Sequence, residues 1–314
     1  MKKLKILNSW LKDTSVIIPV TRLSYLKEPL KRLLSLPFKE IIIATKDSNI
    51  KNSNSRVKIV SSNNLNNVSK ARNFGAKYAN GKFFLFIDDD VIIEKKTIKY
   101  LQIFPLKNFN ILCGKYNDEK MGNNFSTIYD NTTIDYRMFN GNEFNQIYSS
   151  SHFIIRNEIF NQSGGFNEYI KGYEDIEFFH RCKILGYKIK LDPTFQATHL
   201  KNYNFFGLLK NYFCKSNNAL HARYLYPKIL KNRINLPFRV KYSWITSGFL
   251  FFSVPLLFFN NFFWIIFFIL LFLQIPLLKK VYYKNDTFDF IKSIFTNILI
   301  GISRKSMIGS LLNK

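Results

Sequence analysis

Asp88, Asp89 and Asp90 stand side by side directly after the apolar run Phe83 to Ile87. Adjacent carboxylates repel one another unless a cation or a set of donors holds them. Mg2+ and Mn2+ are hard cations that take one or two protein carboxylates and complete their shells with water and substrate phosphate. The acidic run therefore has two readings, a metal–diphosphate site or a solvated acidic turn. Its position bears on the choice. A short apolar run without alternation is the pattern of a strand buried on both faces, as in a parallel sheet. Ligands of open α/β sheets bind beyond the carboxyl ends of such strands.

Other residues have chemistry of their own. Glu174-Asp175 opens a stretch in which Ile176, Phe179, Cys182 and Leu185 recur at helical spacing, ended by Gly186. The helix dipole favours acidic residues at a helix start, so capping alone accounts for the pair. A carboxylate within reach of an acceptor hydroxyl is also a general base. His199 follows a short strand and has both a structural and a metal-ligating reading.

The elements that must position these groups follow from pattern. Ser15 to Val20 is a short apolar strand containing Pro19, and Tyr25 to Leu36 has helical spacing, stopped by Pro37. Glu40 to Ala44 and Arg56 to Val60 read as strands. Asn67 to Asn80 reads as a helix closed by Asn80-Gly81 in a left-handed cap. Phe83 to Ile87 and Tyr187 to Leu191 are further strands. Alternating strands and helices predict an α/β fold with a mixed, mostly parallel sheet.

Three motifs occur in fixed order: Ser-Val-Ile-Ile-Pro-Val at 15–20, Lys70-Ala-Arg-Asn-Phe-Gly75, and Asn80-Gly-Lys-Phe-Phe-Leu-Phe-Ile-Asp-Asp-Asp90. Gly164-Gly-Phe-Asn-Glu168 and Gly172-Tyr-Glu-Asp-Ile-Glu-Phe-Phe-His-Arg181 follow them. In this order they resemble the family 2 glycosyltransferases of the membrane-anchored bacterial type, from about Ser15 to His199. The resemblance implies the GT-A fold, a Rossmann-like arrangement. It also implies single-displacement, inverting transfer of a hexosyl or related group from a nucleotide-diphosphate sugar. It puts Pro19, Asp47, Arg72, Asn73, Asp88 and Asp89 at the nucleotide sugar. A divalent metal, Mn2+ or Mg2+, falls to Asp88, Asp90 and His199, and catalysis to Asp175 as general base with Glu174 beside it. Where the family often has Asp-Asp-Gly-Ser after the second strand, this chain has Ala44-Thr-Lys-Asp-Ser48. A Gln-x-x-Arg-Trp segment, carried by many processive members, is missing, which favours transfer of a single sugar.

Composition adds a setting. The 314 residues include 46 Lys+Arg against 21 Asp+Glu, a formal charge of +25. Such an excess calls for an anionic partner. No acidic residue occurs from Pro193 to Asn285, while lysine and arginine recur there. Ser243 to Leu278 carries no charge and is crowded with Phe, Leu and Ile, with Asn260-Asn261 near its middle and basic residues on both flanks. That pattern predicts a transmembrane helical hairpin with both ends on the cytosolic side. The basic excess then lies against anionic lipid headgroups, and nucleic acid is not expected as a partner. Three scattered cysteines fit neither a disulfide framework nor a zinc site.

The expected layout is a catalytic domain over 1–200, with a nucleotide-sugar half at about 14–115 and an acceptor half at 116–200. A basic juxtamembrane helical segment (201–242), the hairpin (243–278) and an amphipathic, interfacial tail (279–314) follow. The expected protein sits in the inner membrane as a multi-pass protein with its catalytic domain facing the cytoplasm. It takes a glycan or lipid-linked acceptor in cell-surface polysaccharide or glycolipid synthesis. Two alternatives stand beside it: a polyprenyl-phosphate glycosyltransferase, and a non-catalytic membrane-anchored protein that binds nucleotide sugar or polyanion.

Overall fold

The computed structural model describes residues 9–50, 52–103, 109–117, 124–139 and 147–226, with 246, 249, 253, 257, 258, 260, 262–273, 292–296, 299 and 300. The chain divides into two compact units, 1–120 with 148–200, and 121–147 with 201–314.

The first unit begins with a single helical turn, α1 (Ser9–Lys12), then β1 (Thr14–Val20), α2 (Leu23–Leu34), β2 (Glu40–Thr45) and β3 (Val57–Ser61). Next come α3 (Val68–Lys77), β4 (Phe83–Ile87), β5 (Val91–Ile93), α4 (Lys95–Ile103) and β6 (Ile111–Tyr116). Beyond α5 (Phe125–Phe139), which belongs to the second unit, the first unit resumes with β7 (His152–Arg156), α6 (Asn157–Gln162), α7 (Glu174–Ile184) and β8 (Ile189–His199).

These strands form one sheet in the order β3-β2-β1-β4-β7-β6-β8-β5. From β3 to β4 all pairing is parallel. At β7 the direction reverses: β7 runs antiparallel to both β4 and β6, and β5 runs antiparallel to β8. The sheet is therefore mixed, as expected, with a continuous parallel half from β3 to β4 and one further parallel pair, β6 with β8. The apolar runs explain the central position of β1 and β4. Every residue of β1 is buried, and so is β4 from Phe84 onward. Pairing of β1 with β4 ends at Ile17↔Phe86, before Pro19, where a residue without an N–H is tolerated.

Helix α3 presses closely on this sheet. A Cβ at Gly75 would lie 2.7 Å from Ile17 Cγ2, so only glycine permits the approach. The expected helix from Asn67 to Asn80 is shorter at its far end. Asn67 is its N-cap, accepting from the Lys70 amide at 2.8 Å, and the C-cap is Tyr78 in ordinary right-handed backbone. The left-handed cap at Gly81 is not formed, since Gly81 is not among the glycines with positive φ. Its glycine has another cause. A Cβ there would sit 2.5 Å from the Ser15 amide nitrogen and 2.7 Å from the Asp13 carbonyl. The strand expected at Tyr187 to Leu191 starts at Ile189 and runs on to His199. Its register against β6 shifts between Cys113 and Lys115, so Asp192-Pro193-Thr194 bulges out and the strand continues past the proline.

Beneath the carboxyl end of β4 lies an aromatic core. Phe86 stacks on Phe153 at 4.9 Å and Phe166 on Phe178 at 4.4 Å, with Phe160 against both pairs. Such pairs contribute about 0.5–1.5 kcal/mol each beyond their buried area. They fix the 164–168 turn and α7 to the sheet.

In the second unit α5 packs on α8 (Phe205–Leu225). Buried Tyr129 and Tyr212 meet edge to face at 6.5 Å, and Lys215 reaches Asp130 at 3.5 Å. Asn124 and Asn204 cap the two helices through Thr127 N and Gly207 N. A short apolar helix, α9 (Phe262–Phe272), has no buried residue. The hairpin expected over 243–278 lies partly outside the described residues, as do the tail 279–314 and the end of the 201–242 segment. Among the described residues no helix is long and apolar enough to cross a membrane.

Candidate active site

The three aspartates after β4 point to three different partners. Asp88 Oδ1 accepts from Arg72 Nη2 at 2.8 Å. Asp89 Oδ2 accepts from the backbone amides of Thr21 and Arg22, both at 2.7 Å, and thereby ties down the loop that leaves β1. Asp90 Oδ2 lies 3.2 Å from Arg22 Nη2 and 3.5 Å from His199 Nε2. These donors offset the repulsion anticipated for the run.

Arg72 is the hub. Its side chain is 2% exposed, bound to Asp88 and, at 3.4 Å, to Glu174 Oε1, with the guanidinium 5.0 Å over the Phe166 ring. Burial works against its charge, but Asp88, Glu174 and Asp175 outweigh that and raise its pKa. Burial pushes Asp88 up to about 6, opposed by Arg72 and reinforced by Asp90 and Asp89. Asp88 keeps 29% side-chain exposure, so water tempers that shift. Asp89 is raised by burial, with the Arg22 and Thr21 amides pulling the other way.

The neighbouring Asn73 does a different task. Its Nδ2 donates to the Phe166 carbonyl at 2.8 Å and to Glu168 Oε1 at 2.9 Å, while its Oδ1 accepts from the Phe166 amide at 2.9 Å. Asn67 adds a bond to the Glu168 carbonyl at 2.8 Å. Helix α3 thus grips the Gly164–Glu168 turn. Gly164 and Gly165 have φ of 78° and 67°, and a Cβ at Gly165 would come within 2.7 Å of Asn73 Oδ1. Gly165→Ala is expected to cost about 2 kcal/mol or more, read as a lowered denaturant midpoint, because strain and a broken clamp coincide.

The turn leads into α7. Gly172 has φ 74°, and Tyr173 follows at φ 67°, left-handed backbone that costs a non-glycine residue about 1–2 kcal/mol. This reversal aims the first turn of α7, placing Glu174 on Arg72. The next carboxylate, Asp175, accepts from the Ile176 amide at 2.8 Å. Glu177 is turned inward and holds Arg181 at 2.7 Å, and Arg181 in turn donates to the Ser163 and Gly165 carbonyls.

His199 comes to Asp90 through backbone pairing. It is the register partner of Val91, and the Leu200 amide donates to the Asp90 carbonyl at 2.7 Å. The Tyr116 ring lies flat on the imidazole, 4.8 Å between centroids and 4° between planes. Behind it sits His152, buried, its pKa lowered to about 4 first by burial and then by His199, against backbone hydrogen bonds at Phe195 and Lys115. Sequence reasoning passed over both His152 and Tyr116. The signal was in register alone: His152 pairs with Ile87, the residue before the aspartates.

The remaining expected residues are nearby or local. Pro19 is buried in β1 opposite Ala44. Asp47 sits in the turn after β2, its amide on Thr45 Oγ1 at 3.1 Å and its Oδ1 accepting from the Asn49 amide at 2.8 Å. For a divalent ion, Asp90 and His199 are the groups that converge, one oxygen and one nitrogen. That number of protein donors suits Mg2+ or Mn2+ with phosphate completing the shell. Asp88 is engaged by Arg72 instead, and among the described residues no three His, Cys, Asp or Glu side chains converge on one point.

A parallel βα half, a mixed extension begun by the antiparallel β7 and a carboxylate cluster at the end of the fourth strand define a GT-A-like α/β fold. Residues 15–164 match Glycosyl transferase family 2, and this part of the chain is a family 2 glycosyltransferase domain, which makes the protein a transferase. No curated protein matches the chain in sequence. Among solved structures it is similar to the mannosyltransferase PcManGT from Pyrobaculum calidifontis, solved with GDP-Man and Mn2+. That likeness has 11% identity, covers 87% of this chain and 88% of that one, and has a TM-score of 0.51. It is also similar to residues 1–349 of S. aureus TarS in complex with UDP-GlcNAc, at 18% identity, 95% and 92% coverage and a TM-score of 0.47. The likeness in fold rests on the first.

Proposed function

We propose that the chain moves a sugar from a nucleotide-diphosphate sugar to a hydroxyl of a glycan or lipid-linked acceptor, with inversion, in cell-surface polysaccharide or glycolipid synthesis. The observation that carries this reading is the buried Arg72 link between Asp88 and Glu174. It joins the acidic end of β4 to the start of α7, the two places where donor and acceptor chemistry must meet.

The geometry supports a set of roles within this reading. Asp90 and His199 would hold a divalent ion, Mn2+ or Mg2+, which would supply positive charge to the leaving diphosphate. Asp88, oriented by Arg72, faces the donor's ribose or sugar. Asp89 fixes the Thr21–Arg22 backbone beside the donor. Asp47 contacts the base, and Pro19 lines the floor beneath it. Asn73 acts through the 164–168 turn it holds. Asp175 takes the proton of the acceptor hydroxyl as that oxygen bonds to the anomeric carbon. The bond from that carbon to the diphosphate oxygen breaks with its electron pair on the diphosphate. Glu174 orients the acceptor. One attack from the face opposite the leaving group inverts the centre.

A membrane setting is part of the reading. Helix α9 exposes Phe262, Ile265, Phe268, Ile269 and Phe272, an apolar surface that lipid would cover. Together with the uncharged run and its basic flanks it supports an inner-membrane protein with the catalytic unit on the cytoplasmic side. The same surface favours a second reading, in which the acceptor is a polyprenyl phosphate whose oxygen needs no base.

The deciding experiment is a screen of UDP-, GDP- and dTDP-sugars on the purified full chain with Mn2+, Mg2+ or EDTA. Metal-dependent release of one nucleotide, reduced at least about 100-fold in Asp90→Ala, is expected. A chain that neither releases nor binds any nucleotide sugar with metal present is a non-catalytic protein, and the reading fails.

A further inference from the structure

We infer that Arg22 serves two anions in turn, the Asp90 carboxylate and the diphosphate of the donor, and that this exchange couples donor binding to metal binding. The inference rests on the metal reading of Asp90 and His199 given above.

Three features of Arg22 point this way. Its backbone is fixed, because Asp89 Oδ2 accepts from the amides of both Thr21 and Arg22 at 2.7 Å. Its side chain is loosely held, 44% exposed, with the guanidinium 5.1 Å over the Tyr25 ring and one nitrogen, Nη2, on Asp90 Oδ2 at 3.2 Å. A guanidinium has five N–H donors in a planar fork matched to phosphate, and this single contact uses one of them. A residue with an anchored backbone and an exposed charged end that keeps donors to spare suits a handover between nearby anions.

The acceptor atom decides the coupling. Asp90 Oδ2 is the oxygen that meets both Arg22 and His199 Nε2. A divalent ion held by Asp90 and His199 and the Arg22 guanidinium therefore seek the same oxygen and repel each other. Ion binding drives Arg22 off Asp90. The loop after β1 lies at the carboxyl end of the sheet beside Asp89, where the donor's phosphates are expected, so the released guanidinium finds a second anion there. Each ligand then favours the other, reciprocally, as any coupling between two sites must. Arg72 offers no such exchange. It is 2% exposed and bound on two sides by Asp88 and Glu174.

The test uses the purified full chain and two probes, Mn2+ followed by the resonance of the free ion, and UDP or GDP followed by calorimetry. Arg22→Gln is expected to bind Mn2+ alone roughly two- to fivefold more tightly than wild type, since a competing surface ion pair is gone. The same variant is expected to bind UDP or GDP in the presence of Mn2+ about tenfold or more weakly, having lost a charge-assisted phosphate contact. Arg22→Lys should fall between, keeping the charge without the fork. A merely structural role would weaken both ligands together. Mn2+ affinity that stays equal or falls in Arg22→Gln, or nucleotide affinity that does not fall, overturns the inference while Asp90-dependent Mn2+ binding stands. Mn2+ binding that is absent, or indifferent to Asp90→Asn, overturns the metal reading and this inference with it.

Discussion

Arg72→Met is expected to destabilise the protein by about 3 kcal/mol, seen as a lower denaturant midpoint. The substitution keeps the apolar stem over Phe166 and removes the charge. It strands Glu174, 13% exposed, and Asp88 beside each other with no cation between them. Breaking a buried ion pair from one side costs about 3–5 kcal/mol. The low end applies because Asp88 still sees solvent. A double variant tests the cause. With Asp88→Asn added, the stranded charge is reduced and much of the lost stability should return, while transfer activity should not. If the single variant is as stable as wild type, Arg72 does not hold the two halves of the site together.

The second large effect concerns Asp175. In Asp175→Asn, kcat for a hydroxyl acceptor is expected to fall roughly 10²–10⁴-fold with donor affinity unchanged, because the amide cannot take a proton. The side chain keeps its shape and its bond from the Ile176 amide, so the helix start survives. This variant also separates the two acceptor classes. Transfer to a polyprenyl phosphate, whose oxygen is already ionised, should lose little. A hydroxyl acceptor that reacts at the wild-type rate would remove Asp175 from the reaction.

Much of this arrangement was legible in the order of residues. The apolar runs located β1, β2 and β4 to within a residue at either end, because buried parallel strands need continuous apolar sequence. Position 88–90 at a strand end was equally readable. What each aspartate touches was not. Three identical side chains in a row have three different partners, set by where α3, the β1 loop and β8 come to rest, and no local pattern encodes that. Asn73 shows the same limit. It lies in a motif attributed to donor binding, yet its bonds go to a turn more than ninety residues away. Gly81 misled for a physical reason. Asn-Gly after a helix usually marks a left-handed cap, and here the glycine is required by close contact with Ser15 instead. Tyr116 was invisible because its place against His199 depends on the irregular pairing of β6 with β8, and His152 because its place depends on the pairing of β7 with β4.

The turn after β2 is built quite differently from the clamp on α3. Asp47 is held by Thr45 and holds Asn49, residues two positions away on either side. Asn73, Gly165, Phe166 and Glu168 answer to one another across the chain and can drift only as a set. A self-contained turn carries no such obligation. Residues 46–49 can therefore change with little effect on the rest of the fold, and if the turn meets the donor as proposed, donor preference can change with them while the contacts around Arg72 stay as they are. A new substrate preference then arises more readily than a new way of performing the transfer.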